Sequence, residues 1–155
     1  MEEILDTTQA DSKPVVYAGF WNRFGAIFID GIMLWIVQTV ITFAFFGAMA
    51  LNAENMSEFN GALVGIFYLI LLLMNWIYYA GMESSANQAT LGKMAMGIKV
   101  TDINGERISF ARATGRYFSK FISAIIILIG FLMAAFTAKK QALHDMIAET
   151  LVVKK

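Results

Sequence analysis

Residues Gly31 to Leu51 read GIMLWIVQTVITFAFFGAMAL, 21 positions without a charged side chain. At about 1.5 Å per helical residue, such a run crosses the ~30 Å hydrocarbon core of a bilayer. Counted from Phe24 it is 28 residues long and is interrupted only by Asp30. A second run, Gly61 to Met82, has 22 residues, no charge, and Asn75 as its one strongly polar member. The link between them, Asn52–Asn60, is short and polar, with Glu54 and Glu58. These runs predict two transmembrane helices, over approximately residues 24–51 and 61–82, joined as a hairpin.

Composition points the same way. Of 155 residues, 58% are apolar and 15% charged, with a mean hydropathy of +0.61. Ordinary globular chains are about 45–50% apolar and about 25% charged. Twelve basic residues balance twelve acidic ones, and there is no cysteine. Such a chain is not disordered, not a disulfide scaffold, and has no basic surface for nucleic acid. The first 19 residues carry Glu2, Glu3, Asp6 and Asp11 against Lys13, so they lack the basic start of a signal peptide and are expected as a lead-in.

The stretch 83–120 changes character and is expected at the cytoplasmic face or the interface. Gly97–Asp102 alternates apolar and polar residues as a strand does, and Asn104-Gly105 supplies a turn. Ser109 is placed to cap a helix on which Arg112, Arg116 and Lys120 recur at every fourth position. That basic stripe predicts contact with lipid headgroups. A third apolar run, residues 121–137, has only 17 positions, which fits a re-entrant segment or a short span. Thr150–Lys154 is a second strand-like pattern. The loop 52–60 has no Lys or Arg, whereas residues 83–120 have six, so the N-terminus and the middle segment are expected inside. The basic tail and the pairing of two strand-like segments in one compartment favour two full spans plus a third segment that enters and returns. A plain three-span chain is the alternative.

Few polar groups sit at membrane depth. Arg23 and Asp30 are seven residues apart and share a helix face within about 20°. Matching depths across an antiparallel hairpin predicts two polar layers, Arg23 with Glu83 and Asp30 with Asn75. Intramembrane acids are candidates for ion or proton handling; the competing role for Asp30 is a structural contact that fixes the hairpin. His144-Asp145 reads as a proton relay or, with adjacent residues on different faces, as a helix cap paired with the basic stripe. Gly61/Gly65 and Ala44/Ala48 are small-xxx-small pairs that suit close helix packing. Gly92-Lys93 is not a P-loop, because Asn87 and Met94 stand where glycine and Ser or Thr belong. One histidine and no cysteine cannot build the usual zinc spacings. No nucleophile–base pair is visible, so no enzyme, metal or cofactor is expected.

The stretch Gly19–Asp30, GFWNRFGAIFID, resembles the opening of the RDD family of small bacterial membrane proteins, named for one arginine and two aspartates. Glu83-Ser-Ser, Ala89-Thr-Leu-Gly-Lys93, Gly97–Asp102 with Gly105, Arg116, and Leu143-His-Asp145 ahead of Thr150-Leu-Val-Val resemble its later motifs, over roughly residues 17–153. Arg23 and Asp30 match the first two named residues, and Asp145 the third. Many members carry proline after the threonine; here Leu91 stands there, which implies a looser turn. The resemblance implies transport, with cation/proton antiport proposed for some members.

The expectation is thus one all-α integral membrane domain over 1–155: a transmembrane hairpin, a third shorter apolar segment and a small cytoplasmic strand-like element. As a transporter of monovalent cations such as Na+ coupled to protons, it would use Asp30, Asn75 and Asp145 as ion or proton sites, with Arg23 and Glu83 as charge partners. So small a chain would act as a homo-oligomer in the bacterial inner membrane. The alternative is a non-transporting scaffold or accessory subunit binding lipid or a partner.

Overall fold

The computed structural model describes residues 15–52, 61–125 and 129–155. Its elements follow in the order α1 (Phe20–Asn52), α2 (Gly61–Glu83), α3 (Leu91–Ala95), β1 (Ile98–Asp102), α4 (Phe110–Ile125), α5 (Ile129–Phe136), α6 (Leu143–Ile147) and β2 (Thr150–Lys154). Helices α1 and α2, of 33 and 23 residues, are about 50 and 35 Å long. Both are long and apolar enough to cross a membrane, and their large side chains, among them Trp35, Phe43, Leu63 and Ile70, face outward. In water that surface would be untenable; in lipid it is solvated. The chain is a mostly helical membrane protein with a small strand element.

The expected close approach at Gly61 and Gly65 is not what joins the hairpin. Among the described residues, no atom beyond the glycine's chain neighbours and its own helix backbone lies within 4 Å of a Cβ built at either position. The helices meet there through rings: Phe67 stacks on Phe45 at 4.2 Å and meets Phe46 edge-on at 5.8 Å.

At the other end of the hairpin a compact cap forms. Strands β1 and β2 pair antiparallel, with Ile98 opposite Lys154 and Val100 opposite Val152. The segment entering α1 joins the outer edge of β2, where the Ala18 amide donates to the Val152 carbonyl and the Lys154 amide to Val16. Ala18, Ala26, Ala80, Ile98, Val100, Ile108, Ala113 and Val152 form one buried core, with Trp76 and Met96 packed on it. The cap and the ends of both long helices thus share one interior.

The cap contains a repeat. Residues 88–102 and 140–154 run through the same conformations at a constant offset of 52. Gln88 and Lys140 both have positive φ (54° and 48°). Thr90 and Ala142 are extended N-caps of the five-residue helices α3 and α6, and Met96 and Ala148 end them with matching backbone angles. Gly97 and Glu149 follow with φ of 64° and 51°, and a strand comes next. The antiparallel register centres on Val100 and Val152, which are also 52 apart. Beyond the cap the match is partial: α1 packs on α3 as α4 packs on α6, but α5 packs closely on α4 and α6 where α2 has no such close packing on α1 and α3. The chain therefore repeats one helix–helix–short helix–strand order, the two units joined through antiparallel strands that are related by a local two-fold.

In the second unit the helical pair is short. The apolar run 121–137 is divided between α4, of 16 residues, and α5, of eight. The α4–α5 pair starts beside Trp76, which Phe110 meets at a ring distance of 5.7 Å, and is followed at once by Lys140, whose carbonyl accepts from Arg23. Both ends of the pair lie at the cap.

Candidate functional site

Asp30 lies on the face of α1 that α3 covers, and it is 1% exposed. Its carboxylate accepts three hydrogen bonds. The Tyr78 hydroxyl and the Gly92 amide donate to Oδ1 at 2.7 Å each, and the Thr90 hydroxyl donates to Oδ2 at 2.6 Å. All three donors are neutral, and among the described residues no ion pair reaches Asp30. The approach requires glycine at position 92: a Cβ there would stand 2.1 Å from the Ala26 carbonyl oxygen and 2.9 Å from the carboxylate.

The local sequence explains why α3 can dock in this way. Thr90 is extended (φ −70°, ψ 169°) and its hydroxyl oxygen accepts from the Lys93 amide, an N-cap of the usual kind. Leu91 is then the first helical residue, where proline is favoured because its missing N–H would be unpaired anyway. Here the Leu91 amide donates to the Tyr78 hydroxyl at 3.2 Å. Leucine thus adds a tie to α2 that proline would lack.

Beside Asp30, a ladder of charges crosses between the two units. The Lys93 ammonium donates to Glu83 Oε1 at 2.6 Å, and Arg116 Nη1 to Glu83 Oε2 at 2.8 Å. Arg116 also holds Asp145 Oδ1, through Nε at 2.9 Å and Nη2 at 2.7 Å. Asp145 Oδ2 takes Arg23 Nη1 and the Ala142 amide, so the aspartate caps α6 as well. Arg23 completes its fork on the carbonyls of Ala18 (3.0 Å) and Lys140 (2.6 Å). Lys120 lies 3.7 Å from Glu83 and 4.4 Å over the Tyr79 ring. Glu83, Arg116 and Asp145 are at most 2% exposed.

These contacts change the expected pairings. Arg23 and Glu83 are not partners; Arg116 and Asp145 stand between them. Asn75 is not among the donors to Asp30: its amide donates back to the Leu71 carbonyl at 2.8 Å, one turn earlier in α2. Tyr78, three residues further on, takes the place beside Asp30. The stripe Arg112, Arg116, Lys120 was expected to face headgroups, but Arg116 is buried because two carboxylates from α2 and α6 converge on that face of α4. Arg112 remains partly exposed, 3.7 Å from Asp102. Of the two roles open to His144-Asp145, the aspartate has the cap and the pairing with Arg116. His144 packs with Nδ1 3.4 Å from the Ser123 hydroxyl. Thr90, Gly92 and Lys93 lie in the motif that carries the family resemblance, but nothing in it tells that Thr90 and Gly92 meet Asp30 or that Lys93 meets Glu83, and Tyr78 has no sequence signal of its own.

The electrostatics of the cap follow from burial and from its two carboxylates. Burial pushes the Lys93 ammonium down to about 7, and Arg116 adds to this while Glu83 opposes it. Burial also lowers His144 to about 3, with Asp145 opposing and Arg116 adding. For Asp145 burial acts upward, but Arg116 and Arg23 outweigh it and hold the carboxyl well below the usual carboxylate range.

Comparison with known proteins matches this architecture to one family. The RDD family model matches residues 17–149, from the residue that bridges to β2 through α6 and its terminating turn. The uncharacterized protein YxaI of Bacillus subtilis is 40% identical, covering 89% of this chain and 97% of its own length. The uncharacterized membrane protein YteJ of the same organism is 28% identical, covering 97% of this chain and 89% of its own. A proline-rich antigen homolog of Mycobacterium tuberculosis is 34% identical over 57% of this chain and 35% of its own. No solved structure matches. With the family model covering all of the first unit, the second as far as β2, and every residue of the charge ladder, the chain belongs to the RDD family of membrane proteins.

Proposed function

We propose that this protein is a membrane-anchored scaffold or accessory subunit, in which the Arg and Asp residues hold the cap on the hairpin and do not form an ion path. The observation that carries this reading is the saturation of the polar cluster. Asp30 is buried and takes three donors, and Arg23, Glu83, Arg116 and Asp145 are paired among themselves. A buried charge that must bind and release ions needs water or an open coordination site, whereas one that holds two units in register needs fixed partners. The accompanying topology is a multi-pass one in the bacterial cytoplasmic membrane. Helices α1 and α2 span, α4 and α5 enter and return, and the N-terminus and the base-rich cap lie inside.

One observation favours the transport reading instead. The Asp30 carboxylate lies in the first long helix with only neutral donors around it, a setting a monovalent cation or proton would complement. The second unit, with helices of 16 and eight residues, is too short to serve as a spanning half that rocks against the first, so this mechanism would require a homo-oligomer. Cation-driven proton flux in proteoliposomes separates the two. We expect no protein-dependent flux from the wild type or from Asp30→Asn. Flux in the wild type would overturn the scaffold reading, and its loss in a folded Asp30→Asn would put the ion at that carboxylate.

A further inference from the structure

Most basic side chains of the cap are occupied: Arg23, Lys93, Arg112, Arg116 and Lys120 face carboxylates, and Arg107 Nε donates to the Ser84 carbonyl at 2.6 Å. Three others gather elsewhere. Lys99, Lys154 and Lys155 line an open cleft of about 460 Å³ with Ala86, Asn87 and Gln88. The strand register sets Lys154 opposite Ile98 and Lys99 opposite Val153, so these two side chains leave opposite faces of the pair, while the Lys155 amide donates to the Gly97 carbonyl and Lys155 falls on the face of Lys99. The turn 86–88 closes the other side, where Gln88 exchanges hydrogen bonds with the Val100 backbone at 2.7 and 3.1 Å. No carboxylate side chain lines the cleft, and among the described residues none of the three lysines is in an ion pair.

The internal repeat supplies a comparison within the same molecule. At the offset of 52, the turn Ala86-Asn87-Gln88 corresponds to Ala138-Lys139-Lys140, and Lys154 and Lys155, by the same symmetry, to Asp102 and Ile103. The equivalent place therefore carries an acid, already 3.7 Å from Arg112, where the cleft carries a base. The equivalent place thus sets Asp102 against Lys139 and Lys140, whereas the cleft gathers three lysines with no acid side chain. We propose that this cleft binds a phosphate-bearing anion, held by the Lys99 and Lys155 ammonium groups from one face, with Lys154 adding charge at the edge and Asn87 as a neutral donor. Lysine serves such groups as a point charge, and the carrier is an anionic lipid headgroup or a free phosphate. The proposal extends the scaffold reading by giving the cap a ligand, and its outcome is independent of whether ions cross.

The test uses the full chain in neutral detergent. Phosphatidylglycerol and inorganic pyrophosphate are titrated separately, with phosphatidylcholine as reference, and binding is read by native mass spectrometry and by the rise in melting temperature. Lys154→Gln/Lys155→Gln is compared with Lys139→Gln/Lys140→Gln, which removes the same charge from the quasi-equivalent turn. Lys155→Gln alone, outside β2, serves if the double variant melts early. The expected result is a loss of about tenfold or more in affinity with the cleft variant and little change with the other. Loss for phosphatidylglycerol assigns a headgroup; loss for pyrophosphate alone assigns a free phosphate. Equal effects of both variants, or no binding of either probe, would overturn the proposal.

Discussion

The amide of Gly92 donates to the carboxylate of Asp30 at 2.7 Å, and nothing larger than glycine fits between α3 and α1 at that point. The contact fastens the cap to the first long helix through backbone, so it depends on the absence of a side chain as much as on the aspartate. Gly92→Ala should therefore destabilise the protein by about 3 kcal/mol, the upper part of the usual range for overpacking a tight site. Gly31→Ala, where a Cβ meets nothing within 4 Å, should change stability by no more than about 0.5 kcal/mol. Thermal melts of the two variants in one detergent measure the difference.

The repeat predicts a stabilising substitution. Glu149 occupies the left-handed position that Gly97 fills in the first unit, and a residue with a Cβ pays about 1–2 kcal/mol there. Glu149→Gly should raise stability by about 1 kcal/mol or less, part of the gain being offset by the greater freedom of glycine in the unfolded chain. Gly97→Ala should lower it by about 1 kcal/mol. Opposite shifts in melting temperature are the expected outcome.

Two pH dependences follow from the buried bases. His144 titrates near 3 when folded against 6.5 when exposed, so the unfolded chain binds the extra proton between those values. Stability from this source is complete above 6.5 and is lost as pH falls toward 3, with Asp145 adding to the loss below 3.8. Lys93 is lowered from 10.5 to about 7, and by the same sign stability rises as pH increases from 7 toward 10.5. Melting curves across both windows should show these slopes. His144→Asn should flatten the acid one and Lys93→Gln the alkaline one.

Much of the fold is legible in the chain because lipid imposes a simple rule. Uncharged runs such as Gly31–Leu51 and Gly61–Met82 have few other structures open to them, and the alternation at Ile98–Asp102 and the β-branched run within Thr150–Lys154 mark two strands that pair. The site is less legible. Depth matching brings Arg23, Asp30 and Glu83 to one end of the hairpin, but partner choice is set by α3 and α6, helices of five residues whose docking leaves no periodic signal. Asn75 illustrates the limit: an amide in a long helix satisfies itself on the Leu71 carbonyl one turn back, and only coordinates reveal that Tyr78 reaches Asp30. Arg116 sits on a stripe that reads as solvent-facing until two carboxylates distant in sequence converge on it. The repeat is hidden for a related reason. Leu91 and Leu143, Met94 and Met146, and Val100 and Val152 correspond, but the special backbone angles at Gln88/Lys140 and Gly97/Glu149 are met by unlike residues.

The central claim is that the charges clamp the two units together, and Arg116, which bridges Glu83 and Asp145, carries most of it. Removing one member of a buried ion network costs about 3–5 kcal/mol because its partners are left uncompensated. Hydrogen exchange of the backbone amides in wild type and Arg116→Met, compared in the same detergent, tests this directly. Amides of Ile98–Asp102 and Thr150–Lys154 should lose protection by a factor of about a hundred or more, while the middles of α1 and α2 stay protected. Unchanged protection of both strands in Arg116→Met would contradict it.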